Sequence, residues 1–172
     1  PVNFEKEKLS DKILKKLQLK PRGRNMRDWQ KLVNKIHSSV TPLKIAIVGK
    51  YFGSGDFTLA DSYISVIEAI RHASIANNRK PEIQWFDSEA YEHDKRKLKE
   101  LNNFDGIIVP GGFGSRGVEG KIKAIQYARE NKIPYFGLCY GMQLATIEFA
   151  RNVCGIKDAN TTEINPSTKN PV

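Results

Sequence analysis

The sequence predicts an α/β fold, with a mostly parallel sheet and helices on both faces. Two observations support this prediction. From Pro42 onward, short apolar runs alternate with longer segments of helical periodicity. The last apolar run then passes into a helical pattern through Gly137-Leu-Cys-Tyr-Gly141, a tight strand-to-helix turn. In parallel α/β sheets the functional site lies at the carboxyl ends of the strands, so we expect it there.

Four apolar runs are expected to be the strands. In chain order they are Leu43–Val48, Glu82–Phe86, Gly106–Val109 and Ile133–Phe136. Helical spacing predicts helices at Ser10–Leu19, Asp28–His37, Asp61–Ala76, Glu89–Leu101, Val118–Asn131 and Gly141 to about Val153. The fourth helix is so highly charged that we expect it to be mostly exposed. The tail 157–172, rich in Asn, Thr and Pro, is expected to be a loop.

Charge divides the chain into two parts. Residues 1–41 hold eleven of the 28 basic residues and only four of the 19 acidic ones, so most of the net charge of +9 lies there. We interpret 1–41 as a basic helical connector from a preceding domain, and 42–172 as the N-terminal part of the next domain. The connector has no nucleic-acid-binding motif and no aromatic stripe, so we expect no nucleic-acid partner.

Cysteine usage and hydropathy bear on the compartment. The two cysteines, Cys139 and Cys154, are too few for a disulfide framework. No apolar run reaches membrane-spanning length, and the first residues do not resemble a signal peptide. These features predict a cytoplasmic protein with reduced thiols and no membrane partner.

Cys139 stands between the last strand and the last helix, flanked by Gly137 and Gly141. A G-x-C-x-G turn lifts its central side chain out of the sheet, and the positive end of the helix dipole favours a thiolate. This position suits a nucleophile. A buried, inert structural cysteine is the alternative.

The loop 110–117 leaves the third strand and is rich in glycine. Because neighbouring parallel strands end at one edge of a sheet, we expect this loop beside Cys139. An amide from Gly111–Phe113 and the amide of Tyr140 would then suit an oxyanion. A G-x-G-x-x-G pattern is also present, formed by Gly112, Gly114 and Gly117. A dinucleotide site is therefore one alternative, although the pattern follows the third strand and not the first, and a purely structural turn is another.

A cysteine nucleophile needs a base, which is commonly histidine. The candidates are His37 in the connector, His72 on a predicted helix and His93 in a charged run. Each is interpreted as a surface histidine. We therefore expect the base to lie outside these 172 residues.

Together these features resemble the class I (triad-type) glutamine amidotransferases, and within that class the CTP synthase family. The resemblance extends over 42–172. It is carried by Val48–Tyr51, Asp61–Tyr63, Ser65, Glu68–Ala69, Val109–Gly114, Arg116–Gly120, Ala128–Asn131, Ile133–Pro134, Gly141–Gln143 and Thr162–Glu163. The lead segment, with Asp28–Trp29 and Leu32–Val33, resembles the connector from that family's ATP-using synthetase domain.

The resemblance implies a flavodoxin-like amidotransferase fold, incomplete at its C-terminus. Cys139 would attack the side-chain amide of glutamine, release ammonia and form a glutamyl thioester that water hydrolyses. The implied substrate-binding residues are Gly111, Gly112, Phe113, Tyr140, Gly141, Met142, Gln143 and Glu163. Backbone amides near Gly112 and at Tyr140 would hold the oxyanion. Gln143 and Glu163 would bind the amino-acid head of glutamine, whose α-ammonium suits a carboxylate.

The resemblance also implies partners beyond this fragment, which itself would hold no cofactor and no metal. Ammonia would pass to a synthetase domain of the same polypeptide, where ATP and Mg²⁺ activate UTP for amination to CTP. GTP would activate the glutaminase site, with Phe113 as a contact. The full-length protein would form a homotetramer.

Some features depart from the family pattern. Tyr140 stands where leucine is frequent, but the chemistry uses its backbone amide, so we expect little effect. The loop Phe52–Ala60 is long, and its role is open. The family's His-x-Glu lies downstream of Glu163, so we expect one triad member here and little turnover from the fragment alone. Another class I amidotransferase, serving GMP or carbamoyl phosphate synthesis, and a non-catalytic binding or assembly module are the open alternatives.

Overall fold

The centre of the fold is a sheet of four parallel strands in the order β4-β1-β5-β6. The computed structural model describes residues 1–50, 53–54, 57–58 and 63–172. Within it the strands of this sheet are β1 (Pro42–Gly49), β4 (Lys80–Asp87), β5 (Gly106–Val109) and β6 (Tyr135–Gly137). They confirm the four predicted strands, with small differences at the ends. Strand order reverses between β1 and β5, which is where α/β sheets form their sites.

Two further strands, β2 (Gly53–Ser54) and β3 (Phe57–Thr58), pair antiparallel after β1. Most of the predicted long loop Phe52–Ala60, and the predicted helix start at Asp61, lie outside the described residues.

Seven α-helices and one 3₁₀ helix occur in the described ranges. They are α1 (Val2–Lys6), α2 (Leu9–Lys16), α3 (Arg27–Ser38), α4 (Ile64–Ala76), α5 (Ser88–His93), the 3₁₀ helix Lys95–Asn103, α6 (Val118–Glu130) and α7 (Tyr140–Asn152). The predicted helices are confirmed for α2, α3, α4, α6 and α7. The tail beyond α7 has no helix or strand, apart from one bridge between Asn160 and Pro171.

The prediction of one exposed helix at Glu89–Leu101 is wrong. Asp94 adopts extended backbone angles between α5 and the 3₁₀ helix, and its carboxylate accepts the amide of Arg96 at 2.9 Å. This capping contact starts a second helix, which the run of charge conceals. The segment is also not mostly exposed, because Tyr91, Leu98 and Leu101 are buried against the sheet.

Helices cover both faces of the sheet, as predicted. The larger core lies between one face and α5, the 3₁₀ helix, α6 and α7. It includes Val48, Ile107, Val109, Ile122, Leu144 and Ile147. On the other face α4 packs its Ile70 against Ile47 of β1. Alternate residues of β1 therefore serve opposite cores, as strand geometry requires.

The connector helices α1, α2 and α3 contain no buried residue. Lys35 of α3 donates to the carbonyl oxygen of Ala76 at 2.7 Å, which joins the connector to the end of α4. The apolar side chains Trp29, Leu32 and Ile36 remain exposed along α3. None of the helices in the described ranges is long and apolar enough to cross a membrane.

A buried ion pair joins α6 to α7, the helix that begins beside Cys139. The side chain of Glu148 is only 2% exposed and accepts from both Nε and a terminal nitrogen of Arg129, at 3.0 and 2.7 Å. Asn152 donates to the same carboxylate at 3.1 Å. Removing one partner of such a pair leaves a buried charge poorly compensated.

We predict that Arg129→Met lowers the free energy of unfolding by about 2 kcal/mol in urea unfolding. Arg96→Met is the matched control, because Arg96 forms an exposed pair with Asp94 and its loss should leave stability close to that of the wild type. The double variant Arg129→Met/Glu148→Met should regain most of the loss. If Arg129→Met and Arg96→Met had the same free energy of unfolding, this role for the α6–α7 pair would be contradicted.

Candidate active site

Cys139 occupies a strained turn between β6 and α7. It is the residue before the first turn of α7, with φ 51° and ψ −107°. Positive φ is uncommon for a residue with a side chain, and such strain costs about 1–3 kcal/mol where surrounding packing maintains it. Strain of this kind is frequent at functional sites.

The packing that maintains this turn involves both flanking glycines. A Cβ atom at Gly137 would lie 2.6 Å from the carbonyl carbon of Gly141, and one at Gly141 would overlap the carbonyl oxygen of Val109. The amide of Leu138 also donates to that Val109 oxygen at 3.0 Å. The hydroxyl of Tyr135 donates to the carbonyl of Gly141 at 2.7 Å. The start of α7 is thus pressed against the ends of β5 and β6.

The thiol of Cys139 is exposed, so it is not a buried structural cysteine. Cys154 is exposed as well, but it lies just beyond the other end of α7. A helix of 13 residues is about 20 Å long, so the two thiols are well separated.

The glycine loop lies beside Cys139, which confirms the predicted neighbourhood. A Cβ atom at Gly111 would be 3.5 Å from the Cβ and 4.0 Å from the Sγ of Cys139. Within the described residues, the amides of Gly112 and Tyr140 donate to no other protein group. The ring of Phe113 points outward and is 79% exposed. Backbone donors are therefore available close to the thiol.

The side chain of Tyr140 fastens this loop, a role that sequence reasoning missed. It is buried at the start of α7, and its hydroxyl donates to the carbonyl oxygen of Gly114 at 3.1 Å. Burial, and secondly the carboxylate of Glu163, raise the pKa of Tyr140. The expectation that only its backbone amide matters is therefore incomplete.

Two buried lysines, also missed from the sequence, lie beneath the loop. Lys50 follows β1, and its Nζ donates to the carbonyl oxygen of Phe113. Lys121 of α6 is fully buried, and its Nζ has no hydrogen-bond partner in the described part of the chain. That nitrogen lies 5.6 Å from the ring centroid of Tyr140 and 3.8 Å from where a Cβ of Gly112 would be. Burial, and secondly Lys50, lower the pKa of Lys121 to about 8.

Gln143 and Glu163 are brought together one turn into α7. The Nε2 of Gln143 donates to Oε1 of Glu163 at 3.3 Å, while Oε1 of Gln143 is buried with no donor among the described residues. Met142 instead lines a separate apolar hollow with Phe149 and Cys154.

The three histidines are all exposed, and no described hydrogen bond joins any of them to Cys139. His72 faces Glu68 on its own helix at 3.9 Å. The absence of the base from these residues stays a prediction. The described ranges also contain no group of three or more His, Cys, Asp and Glu side chains that could hold a metal ion.

We predict that Lys121 makes stability depend on pH. Its pKa is lower in the folded chain than the ordinary 10.5, so between pH 8 and 10.5 the unfolded chain binds more protons and the free energy of unfolding rises with pH. Lys121→Met should therefore be more stable than the wild type below pH 8, by up to about 3 kcal/mol. The difference should close towards pH 10.5 in urea unfolding. A difference independent of pH would contradict the burial of a charged ammonium.

Comparison with known proteins gives a consistent result. The family model described as glutamine amidotransferase class-I matches residues 58–170. CTP synthases from Methanococcoides burtonii and Pyrococcus furiosus are each 49% identical over the whole chain, and one from Carboxydothermus hydrogenoformans is 51% identical over 96% of it. The chain spans about a third of the length of these curated relatives, 31%, 31% and 30%.

A solved structure is also similar. The glutaminase domain of Trypanosoma brucei CTP synthase with bound acivicin superposes with a TM-score of 0.67 at 46% identity. The similarity covers 74% of this chain and 48% of that one. The family match over 58–170 agrees with the parallel sheet and the strand-to-helix turn that the structure shows. The chain belongs to the class I glutamine amidotransferase family.

Proposed function

We propose that this chain is the glutaminase part of a CTP synthase, in which Cys139 releases ammonia from glutamine. The observation that carries the proposal is the exposed cysteine in a strained turn beside the glycine loop, where a Cβ atom at Gly111 would lie 4.0 Å from its Sγ. The identity of 46–51% to CTP synthases supports the choice within the family. Residues 1–41 would be the connector from a synthetase domain, and 42–172 the N-terminal part of the amidotransferase domain.

The proposed reaction has two chemical steps. The Sγ of Cys139 attacks the side-chain carbonyl carbon of glutamine, and the amides of Gly112 and Tyr140 stabilise the oxyanion. When the intermediate collapses, the carbon–nitrogen bond breaks and the amide leaves as ammonia with the thiol proton. Water then attacks the glutamyl thioester and releases glutamate and the thiol. None of the three histidines of this chain forms a described hydrogen bond with Cys139, so we propose that another part of the polypeptide provides the base that moves these protons.

Gln143 and Glu163 would hold the amino-acid head of glutamine. The exposed carboxylate of Glu163 suits the α-ammonium, and the unpaired Oε1 of Gln143 offers a second acceptor. Gly111, which has no side chain, would let the substrate come close to the thiol. Gly141 would contribute indirectly, because it allows the tight turn that holds Cys139. Met142 would have at most an indirect contact, since it lines the neighbouring apolar hollow.

The remaining steps would occur in the synthetase domain of the same polypeptide, in the cytoplasm. There ATP and Mg²⁺ would activate UTP, and ammonia would aminate it to CTP. The described residues contain no group of three or more acidic, His or Cys side chains that would hold Mg²⁺, so the proposal places the ion in the synthetase domain. The exposed ring of Phe113 would contact GTP as activator, and the full-length protein would form a homotetramer.

The test uses the full-length polypeptide that contains this chain. We expect glutamine hydrolysis, together with CTP formation from UTP and ATP. Cys139→Ala should abolish both glutamine-dependent activities but retain CTP formation from added ammonium salt, since ammonia bypasses the thiol. Cys154→Ala, the matched control, should retain all of them. Glutamine hydrolysis that survives in Cys139→Ala would contradict the proposal, and hydrolysis without CTP formation would indicate another amidotransferase.

We also predict selective labelling by acivicin. Both thiols are exposed, so N-ethylmaleimide should modify Cys139 and Cys154. Acivicin, the ligand of the solved relative, should modify Cys139 alone if the surrounding site binds glutamine-like molecules. Excess glutamine should slow that labelling. Equal, slow labelling of both cysteines, measured by peptide mass spectrometry, would favour a non-catalytic module.

A further inference from the structure

The underside of the glycine loop carries more positive charge than is needed to hold the loop in place. Lys50 already bonds the carbonyl of Phe113, and Tyr140 bonds that of Gly114. Lys121 adds a second buried ammonium near the first and makes no hydrogen bond in the described residues. An apolar side chain of similar length would fill the same space without the cost of burying a charge.

The position of this ammonium relates it to the reaction centre. Its Nζ lies 3.8 Å from the Cβ position of Gly112 and 5.6 Å from the ring centroid of Tyr140. These two residues carry the amides that would bind the oxyanion. A buried positive charge close to both residues stabilises negative charge as it develops on the oxyanion. Among the described residues, no hydrogen-bond acceptor and no carboxylate pairs with this ammonium.

We propose that Lys121 is a positioning residue for the glutaminase reaction, whose buried ammonium stabilises the oxyanion of the tetrahedral intermediates through the peptides of Gly112 and Tyr140. This inference rests on the proposed function. It assigns the ammonium a role in catalysis and none in folding. The ring of Tyr140 holds the ammonium in place through a cation–π contact, so that it faces the loop.

The variant Lys121→Met in the full-length polypeptide tests this role. We expect kcat for glutamine hydrolysis to fall about tenfold and KM to change little, because the charge acts on the intermediate and not on bound glutamine. The probe is glutamate γ-semialdehyde, whose aldehyde carbon forms a tetrahedral adduct with the thiol of Cys139. Its affinity should fall by the same factor as kcat/KM. Glutamine affinity, measured in a Cys139→Ala background, should not change.

Lys123→Met is the matched control. Lys123 lies on the same helix, but its Nζ donates to the carbonyl oxygens of Glu92 and Tyr91, at 2.9 and 3.4 Å. This variant should keep the wild-type kcat and the wild-type affinity for the aldehyde. CTP formation from added ammonium salt should be normal in both variants, which shows that the synthetase half is intact.

The outcomes separate the two proposals. If the wild type shows no glutamine hydrolysis that depends on Cys139, the proposed function fails and the inference with it. If the wild type is active and Lys121→Met keeps its kcat, the inference alone is overturned. A fall in kcat without a matching loss of aldehyde affinity, or failure of Lys121→Met to fold, would show a structural lysine and would also overturn it.

Discussion

The carbonyl oxygen of Val109 occupies the place where Gly141 would carry a side chain, and much of the site depends on this contact. It brings the start of α7 against the end of β5, and Gly137 allows the same approach from β6. The chain between these two glycines must turn sharply, so Cys139 takes a positive φ. Because Val109 also leads directly into the glycine loop, the same contact places that loop beside the thiol.

Three buried side chains, Lys50, Tyr140 and Lys121, lie beside the glycine loop and add hydrogen bonds and positive charge to the site. The carbonyls of Phe113 and Gly114 are bound by side chains of Lys50 and Tyr140, while the amide of Gly112 donates to no other group among the described residues. Lys121 adds charge at a cost in stability. Sites that stabilise a transient negative charge commonly contain donors that are not fully satisfied in the resting state.

Sequence patterns were sufficient for the sheet, for the position of Cys139 and for its proximity to the glycine loop. Apolar spacing predicted the strands, the two flanking glycines predicted the turn, and neighbouring parallel strands end at one edge of a sheet. The patterns failed at Asp94, where a local capping contact divides a charged segment into two helices. Lys121 was missed because lysine is normally solvated, although its place beside Ile122 and three residues after Val118 puts it on the inward face of α6. Only tertiary packing shows that its ammonium reaches the loop.

The most direct test of the role of Cys139 is to trap its covalent intermediate. The full-length polypeptide would be mixed with glutamine, quenched in acid during turnover and digested for peptide mass spectrometry. We expect a γ-glutamyl group on the peptide that contains Cys139 and none on the peptide that contains Cys154. Continued glutamine hydrolysis with no adduct on Cys139, or with the adduct on Cys154, would contradict the assignment of the nucleophile.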